Sequence, residues 1–261
     1  MVSARRAYCV ETPNFPPTTF DILSVATGKL VGHGRYTLER AAGGFLLRGD
    51  NRYLSGEYDL EEDRLVKSPE RQLPVLTSFR HSFYRSDGTL FMEGRMDAES
   101  GVGTCSVTTG GKLSPKSERF QFPSDTYAGV SILVPIQDFL RRGEGSGIMK
   151  MHVFTCAPGP RLASVEVTPQ PTPVTWPHYP GALIETDIKA DFGFWTFVIE
   201  PFLPKLGAWF DPSSRWLLVG AQLERHYRGE KIILARSREE SATEAPASGD
   251  KTLPAAGASP P

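Results

Sequence analysis

Between Thr18 and Cys156 the chain alternates with a period of two, and this limits the possible folds more than any other feature of the sequence. Leu30, Gly32, Gly34, Tyr36 and Leu38 alternate with Val31, His33, Arg35, Thr37 and Glu39, the pattern of a strand with one inward and one wet face. Leu90, Met92 and Met96 alternate in the same way against Glu93, Arg95 and Asp97. The breaks carry turn chemistry: Ala26-Thr27-Gly28-Lys29, Ala42-Gly43-Gly44, Ser86-Asp87-Gly88-Thr89, Ser100-Gly101 and Thr109-Gly110-Gly111-Lys112 each supply Gly where positive φ is needed. Strands joined by such short turns pair antiparallel. The expected fold is all-β with minor α: a strongly curved antiparallel sheet forming an open or partly closed barrel, with Gly32, Gly34, Gly94 and Gly103 as bends or close approaches.

One helical insertion interrupts the strands. After Ser124 or Asp125 as cap, Ile132, Leu133, Ile136, Phe139 and Leu140 follow helical spacing, Arg141 and Arg142 suit the C-terminal end, and Gly143 is placed to stop it. Pro135 begins a second short helix or kinks the segment. From Pro158 to Pro180 the prolines predict an extended excursion around Trp176 and Tyr179. Strands resume at Ala182 to Ala190, Trp216 to Leu223 and Lys231 to Arg236, and Asp211-Pro212-Ser213-Ser214 makes a hairpin turn. Beyond Ser237 the composition offers too little apolar surface to offset ordering, so a disordered tail that can be truncated without loss of stability is expected. The chain divides into an N-terminal extension (1–17), a single barrel-like domain (18–236) and the tail (237–261).

Catalytic signatures are sparse. The formal net charge is −1 with acids and bases interspersed, which argues against nucleic acid as a partner. There is no HxH, HExxH, GxSxG or phosphate-binding glycine loop, so no catalytic residue, metal ligand or cofactor is assigned. Each histidine reads as exposed or singly hydrogen-bonded, and the acidic groups Glu61-Glu62-Asp63 and Asp97 with Glu99 read as solvated charge at turns. Cys9, Cys105 and Cys156 lie far apart; at most one bridge can form, and Cys105 and Cys156 read as small apolar strand residues without an essential bridge. Glu200, Pro201, Pro204 and Lys205 interrupt the most apolar stretch, so no transmembrane segment is expected, although contact with a membrane surface is. Arg5 and Arg6 have no apolar run behind them. The expected location is periplasmic if the start omits a leader, and cytoplasmic otherwise.

The run from Phe192 to Phe210 concentrates Phe192, Phe194, Trp195, Phe197, Phe202, Trp209 and Phe210. Interrupted by proline, it suits either core or a segment that closes a barrel cavity or touches a lipid interface. Asp191-Phe192-Gly193, Pro201 to Leu206 and Ala208 to Pro212, with the strand pair Phe79 to Met96 around Asp87-Gly88, resemble a family of exported bacterial proteins classed as a domain of unknown function. That family's architecture is similar to the open barrels of lipoprotein carriers and their receptors, LolA-like and LolB-like. The resemblance covers roughly Thr18 to Arg236 and implies no catalytic residues. The resulting expectation is a non-enzymatic carrier or sensor for an apolar or lipidic ligand, contacted by Tyr36, Phe83, Phe194, Trp195, Phe202 and Trp209. The competing classes are a barrel-type isomerase or cyclase using Arg48, His33 or His81 on a hydrophobic substrate, and a structural cell-envelope protein. Polar side chains converging beside an open pocket would favour the enzyme, a dry apolar pocket the carrier, and a packed interior the scaffold.

Overall fold

Each glycine-bearing turn becomes a hairpin in the computed structural model, which describes residues 15–68, 73–143, 147–156, 159–176, 179–191, 206–226 and 229–237. Antiparallel strands follow one another without a crossover: β1 (Thr18–Ser24), β2 (Leu30–Ala41), β3 (Gly44–Tyr53), β4 (Tyr58–Val66), β5 (Val75–Tyr84), β6 (Leu90–Asp97), β7 (Val102–Thr109) and β8 (Lys112–Arg119). The chain then makes the short β9 (Thr126–Tyr127), a 3-10 turn (Gly129–Ile132) and helix α1 (Leu133–Arg141). It returns as β10 (Met149–Thr155), β11 (Arg161–Pro169), β12 (Val174–Trp176), β13 (Tyr179–Asp191), β14 (Leu206–Asp211), β15 (Leu217–Glu224) and β16 (Lys231–Arg236).

Because β16 pairs with β1, the two halves join into one sheet of order β8-β7-β6-β5-β4-β3-β2-β1-β16-β15-β14-β13-β11-β10-β9, with β12 folded back on β13. Its end strands β8 and β9 do not pair with each other among the described residues, so the curved sheet is not closed by backbone hydrogen bonds. The expected all-β, open-barrel architecture with one helical insertion is what the structure shows. Among the described residues no helix is long and apolar enough to cross a membrane.

The concave face holds the core. Phe20, Ile22, Phe45, Leu47, Leu65 and Leu76 from the first strands meet Val167, Phe210 and Leu234 from the last ones. Helix α1 turns its apolar stripe, Leu133, Val134, Ile136, Phe139 and Leu140, into the same core, and the Gln137 side-chain amide donates to the Trp216 carbonyl oxygen at 2.8 Å. Pro135 lies in the first helical turn, where its missing N–H leaves no bond unmade, so the helix stays continuous. The sheet also curls far enough for the β10 end to rest on the inner face of β6 and β7. A Cβ at Gly103 would overlap the Phe154 ring, and one at Gly94 would stand 3.0 Å from the Cys156 sulfur, so the absence of a side chain permits this approach.

Three expectations are corrected. The helical region begins at Gly129, not after Ser124 or Asp125: Thr126 and Tyr127 pair in parallel with His152 and Val153, and burying Tyr127 outweighs a side-chain cap. The proline-rich stretch is not one extended excursion. Arg161–Pro169 inserts as β11 between β10 and β13, because Val165 and Val167 alternate inward and Pro169 falls at the strand's end. Finally, Cys105 and Cys156 are bonded, with Cα atoms 5.6 Å apart. β7 stands next to one end of the sheet and β10 next to the other, so the bridge crosses the seam that the hydrogen-bond ladder leaves open. A separation of 51 residues gave no hint of that proximity.

Candidate functional site

The concave face is not filled throughout. A cavity of about 320 Å³ opens between β4 to β6, the 3-10 turn, β10 and the ends of β14 to β16. Phe79, Phe83, Met92, Phe154, Leu206, Leu223 and Ile232 make its apolar walls, while Glu224, Arg225 and His226 also line it. His226 packs edge-on against Phe83 and Phe91, with ring centroids 5.9 and 5.4 Å away. The Arg225 guanidinium lies 3.5 Å from the centre of the Tyr53 ring and is paired with Glu57 at 2.9 Å.

One end of the cavity is polar, and β4 makes it so. In Tyr58–Val66 the side chains of Asp59, Glu61, Asp63 and Leu65 face inward while Leu60, Glu62 and Arg64 face out. The three inward carboxyls are 1%, 4% and 0% exposed, which corrects the reading of Glu61 and Asp63 as solvated turn charges, while Glu62 between them is exposed. Such burial requires partners. Asp59 accepts from Asn51 at 2.8 Å, from Tyr53 at 2.9 Å and from His81 Nε2 at 2.8 Å, and Asn51 also donates to the Tyr36 hydroxyl at 2.8 Å. Glu61 Oε1 accepts the backbone N–H of Val130 at 2.6 Å, tying the 3-10 turn to the sheet, and Glu61 Oε2 lies 3.6 Å from His81 Nδ1.

His81 is thus held between carboxyls on both ring nitrogens, with its ring 4.1 Å from that of Phe83. Burial alone would lower its pKa, but the Glu61 charge and the Asp59 hydrogen bond outweigh this and raise it. Burial raises the pKa of Glu61 against the pull of His81. Asp63, buried and beside Glu61, is raised well above the usual carboxylate range. Burial and the neighbouring Asp59 likewise push the Tyr36 and Tyr53 hydroxyls upward, which keeps both neutral, Tyr53 as a donor to Asp59 and Tyr36 as the acceptor from Asn51. The polar end is therefore a cross-braced network with the His81 imidazole at its centre, able to donate or accept hydrogen bonds at the edge of an apolar chamber.

Of the expected ligand contacts, Tyr36 and Phe83 line this cavity. Trp209 stands elsewhere: it stacks on Trp176 with centroids 5.0 Å apart, in a small separate cluster with Leu183 and Val219. Phe194, Trp195 and Phe202 lie outside the described residues. The end of the aromatic run, Leu206–Asp211, is an interior strand, with Phe210 fully buried. Of the residues considered for an enzyme, His33 pairs with Asp21 at an exposed position, and Arg48 bridges Glu39 and Glu62 in solvent. Only His81 reaches the cavity. Asp59, Glu61, Asn51 and Tyr53 were missed, since the inward face of β4 is written in acids and a hydropathy pattern cannot find it. Among the described residues no metal-ligand group of His, Cys, Asp and Glu is formed.

No family model matches this chain, and no curated protein sequence does. Among solved structures it is similar to a beta-barrel-like protein of domain of unknown function DUF1849 from Brucella abortus, at 10% identity and a TM-score of 0.48. The alignment covers 85% of this chain and 96% of that one.

Proposed function

We propose that the protein is a non-enzymatic binding or carrier protein that takes an apolar or lipidic molecule into the cavity of its curved sheet. The observation that supports this is the chamber itself: its volume of about 320 Å³ falls in the range of small-molecule sites, and most of its wall is aromatic or aliphatic. The polar end suits a ligand with a hydrogen-bonding head on an apolar body. Cys105–Cys156 supports residence in an oxidising compartment, as a carrier of the LolA-like kind would have.

The reading is tested by filling the chamber. Leu223 lines it and is half-buried, so Leu223→Trp should occupy the space a ligand needs without removing core contacts. Expected is a loss of at least tenfold in affinity for a fluorescent fatty-acid probe, with a denaturant midpoint close to wild type. Unchanged affinity, or no binding by the wild type, would end the proposal.

The buried Asp59–His81–Glu61 arrangement favours a second reading, an isomerase or cyclase acting on a hydrophobic substrate, because an imidazole held between two carboxyls beside an apolar pocket is placed to serve as a general acid or base. His81→Gln separates the two readings. Carriage depends on volume and apolar contact and should survive this change within a few-fold, whereas acid–base chemistry would stop.

A further inference from the structure

We propose that Tyr36 reads the head of the ligand: its hydroxyl donates to an uncharged acceptor oxygen, so that the chamber takes lipids carrying a neutral carbonyl, as acyl esters do, in preference to free fatty-acid carboxylates. The inference rests on the carrier reading above and narrows it to one class of ligand.

A buried hydrogen without a protein acceptor carries the argument. Tyr36 is 2% exposed and lines the polar end of the chamber. A carboxylate only accepts, so the Asn51 group 2.8 Å from Asp59 is its NH2, and that NH2 gives its other hydrogen to the Tyr36 oxygen, also at 2.8 Å. The Tyr36 oxygen is the acceptor in that bond, and its own hydrogen points elsewhere. Among the described residues the hydroxyl makes no other hydrogen bond. Leaving a buried donor without an acceptor is costly, so an oxygen on the chamber side is expected to meet it.

The neighbouring strands are cut back to admit this pair. A Cβ at Gly49 would stand 2.6 Å from the Tyr36 ring, and one at Gly34 would overlap Asn51 Oδ1, so two strand glycines make room for the ring and the amide side by side. Phe20 braces the ring edge-on, with centroids 5.8 Å apart. Charge then decides the kind of acceptor. Burial, and after it the charges of Asp59 and Glu61, raise the Tyr36 pKa, so both acids reach the hydroxyl and would repel a carboxylate brought to the same place. The cations lining the chamber are already engaged with acids: Arg225 is paired with Glu57, and His81 stands between Asp59 and Glu61. Glu224 adds a further acid to the wall. A neutral carbonyl oxygen takes the Tyr36 hydrogen without that repulsion, while the walls of Phe79, Phe83, Met92 and Phe154 receive its hydrocarbon chain.

The test uses the full chain and Tyr36→Phe, which removes the hydroxyl and keeps the ring. Affinities are measured at pH 7 for a fatty-acid methyl ester, the free fatty acid and the alkane of equal chain length. Wild type should hold the ester more tightly than the acid, and Tyr36→Phe should lose about tenfold in ester affinity relative to the alkane, the effect of one hydrogen bond from a buried donor. In the infrared the carbonyl stretch of the bound ester, isotope-labelled to separate it from the protein amides, should lie lower in the wild-type complex than in alkane solvent, and should return towards the solvent position in Tyr36→Phe. A bound ester whose carbonyl stretch is unshifted in wild type overturns the proposal, and this measurement holds even if Tyr36→Phe folds poorly. Equal losses for ester and alkane in Tyr36→Phe, or an acid held more tightly than the ester by wild type, overturn it as well and leave the carrier reading standing. If wild type binds none of the three, the carrier reading itself fails.

Discussion

Replacing Cys105 and Cys156 by alanine is expected to cost about 4 kcal/mol, because the bridge closes a loop of 51 residues and a cross-link of that span restricts the unfolded chain by roughly this amount. The native state gives a second reason. The ladder runs from β8 around to β9 without joining its ends, and the bridge stands where β7 and the residue after β10 meet across that seam. Around it Phe154 packs edge to face against Phe120 and Phe122, which are tilted against each other, with centroid separations of 5.3 to 6.2 Å, so among the described residues side-chain packing supports the seam beside the bridge. Denaturant titration of wild type with and without reductant, beside the double variant, measures the effect. Reduction and substitution should lower the midpoint equally. A midpoint unmoved by either would mean that aromatic packing alone holds the seam. Because Cys156 also lines the cavity, the same variants should release a bound probe faster.

The sheet was legible for a simple physical reason: its turns need positive φ and its strands bury one face, and both demands leave marks at short range. Gly88 at φ +80° and the alternation through Tyr36 are examples. The site was illegible for the opposite reason. In β4 the exposed face carries Leu60 and the buried face carries Asp59, Glu61 and Asp63, so a pattern based on hydropathy assigns the faces backwards or sees only solvated charge. Nothing within a few residues announces that Asn51, Tyr53 and His81 will arrive from neighbouring strands to satisfy these acids. The cross-strand register that brings them together belongs to the whole sheet: Asn51 lies opposite Asp59, and His81 opposite Glu61. The disulfide failed to show in the sequence for the same reason, since it depends on how far the sheet curls. Trp209 shows the limit of reading aromatic density as a pocket. Its neighbour Phe210 points into the core, while Trp209 serves a separate cluster against Trp176, because adjacent strand residues face opposite ways.

Asp59→Ala should be the most damaging single change at the site, with an expected loss of about 3–5 kcal/mol. The carboxylate accepts hydrogen bonds from Asn51, Tyr53 and His81 at once, and removing it leaves three donors on two strands, β3 and β5, with nothing to accept them. Asp59→Asn keeps one acceptor oxygen of similar shape and should lose noticeably less. The pH dependence identifies the cause. His81 has a folded pKa above its unfolded value, so its contribution to stability is complete below the unfolded histidine pKa, near about 6.5, and disappears as pH rises through the folded one. Without Asp59 the imidazole keeps only Glu61 nearby against the cost of burial, so its pKa should fall and the deficit of Asp59→Ala should be larger at pH 5.5 than at pH 8. Chemical-shift titration of the His81 ring and denaturant midpoints at the two pH values measure both effects on one variant. A deficit that does not change with pH would mean that Asp59 acts through Asn51 and Tyr53 alone, and His81 would then lose its place at the centre of the polar end.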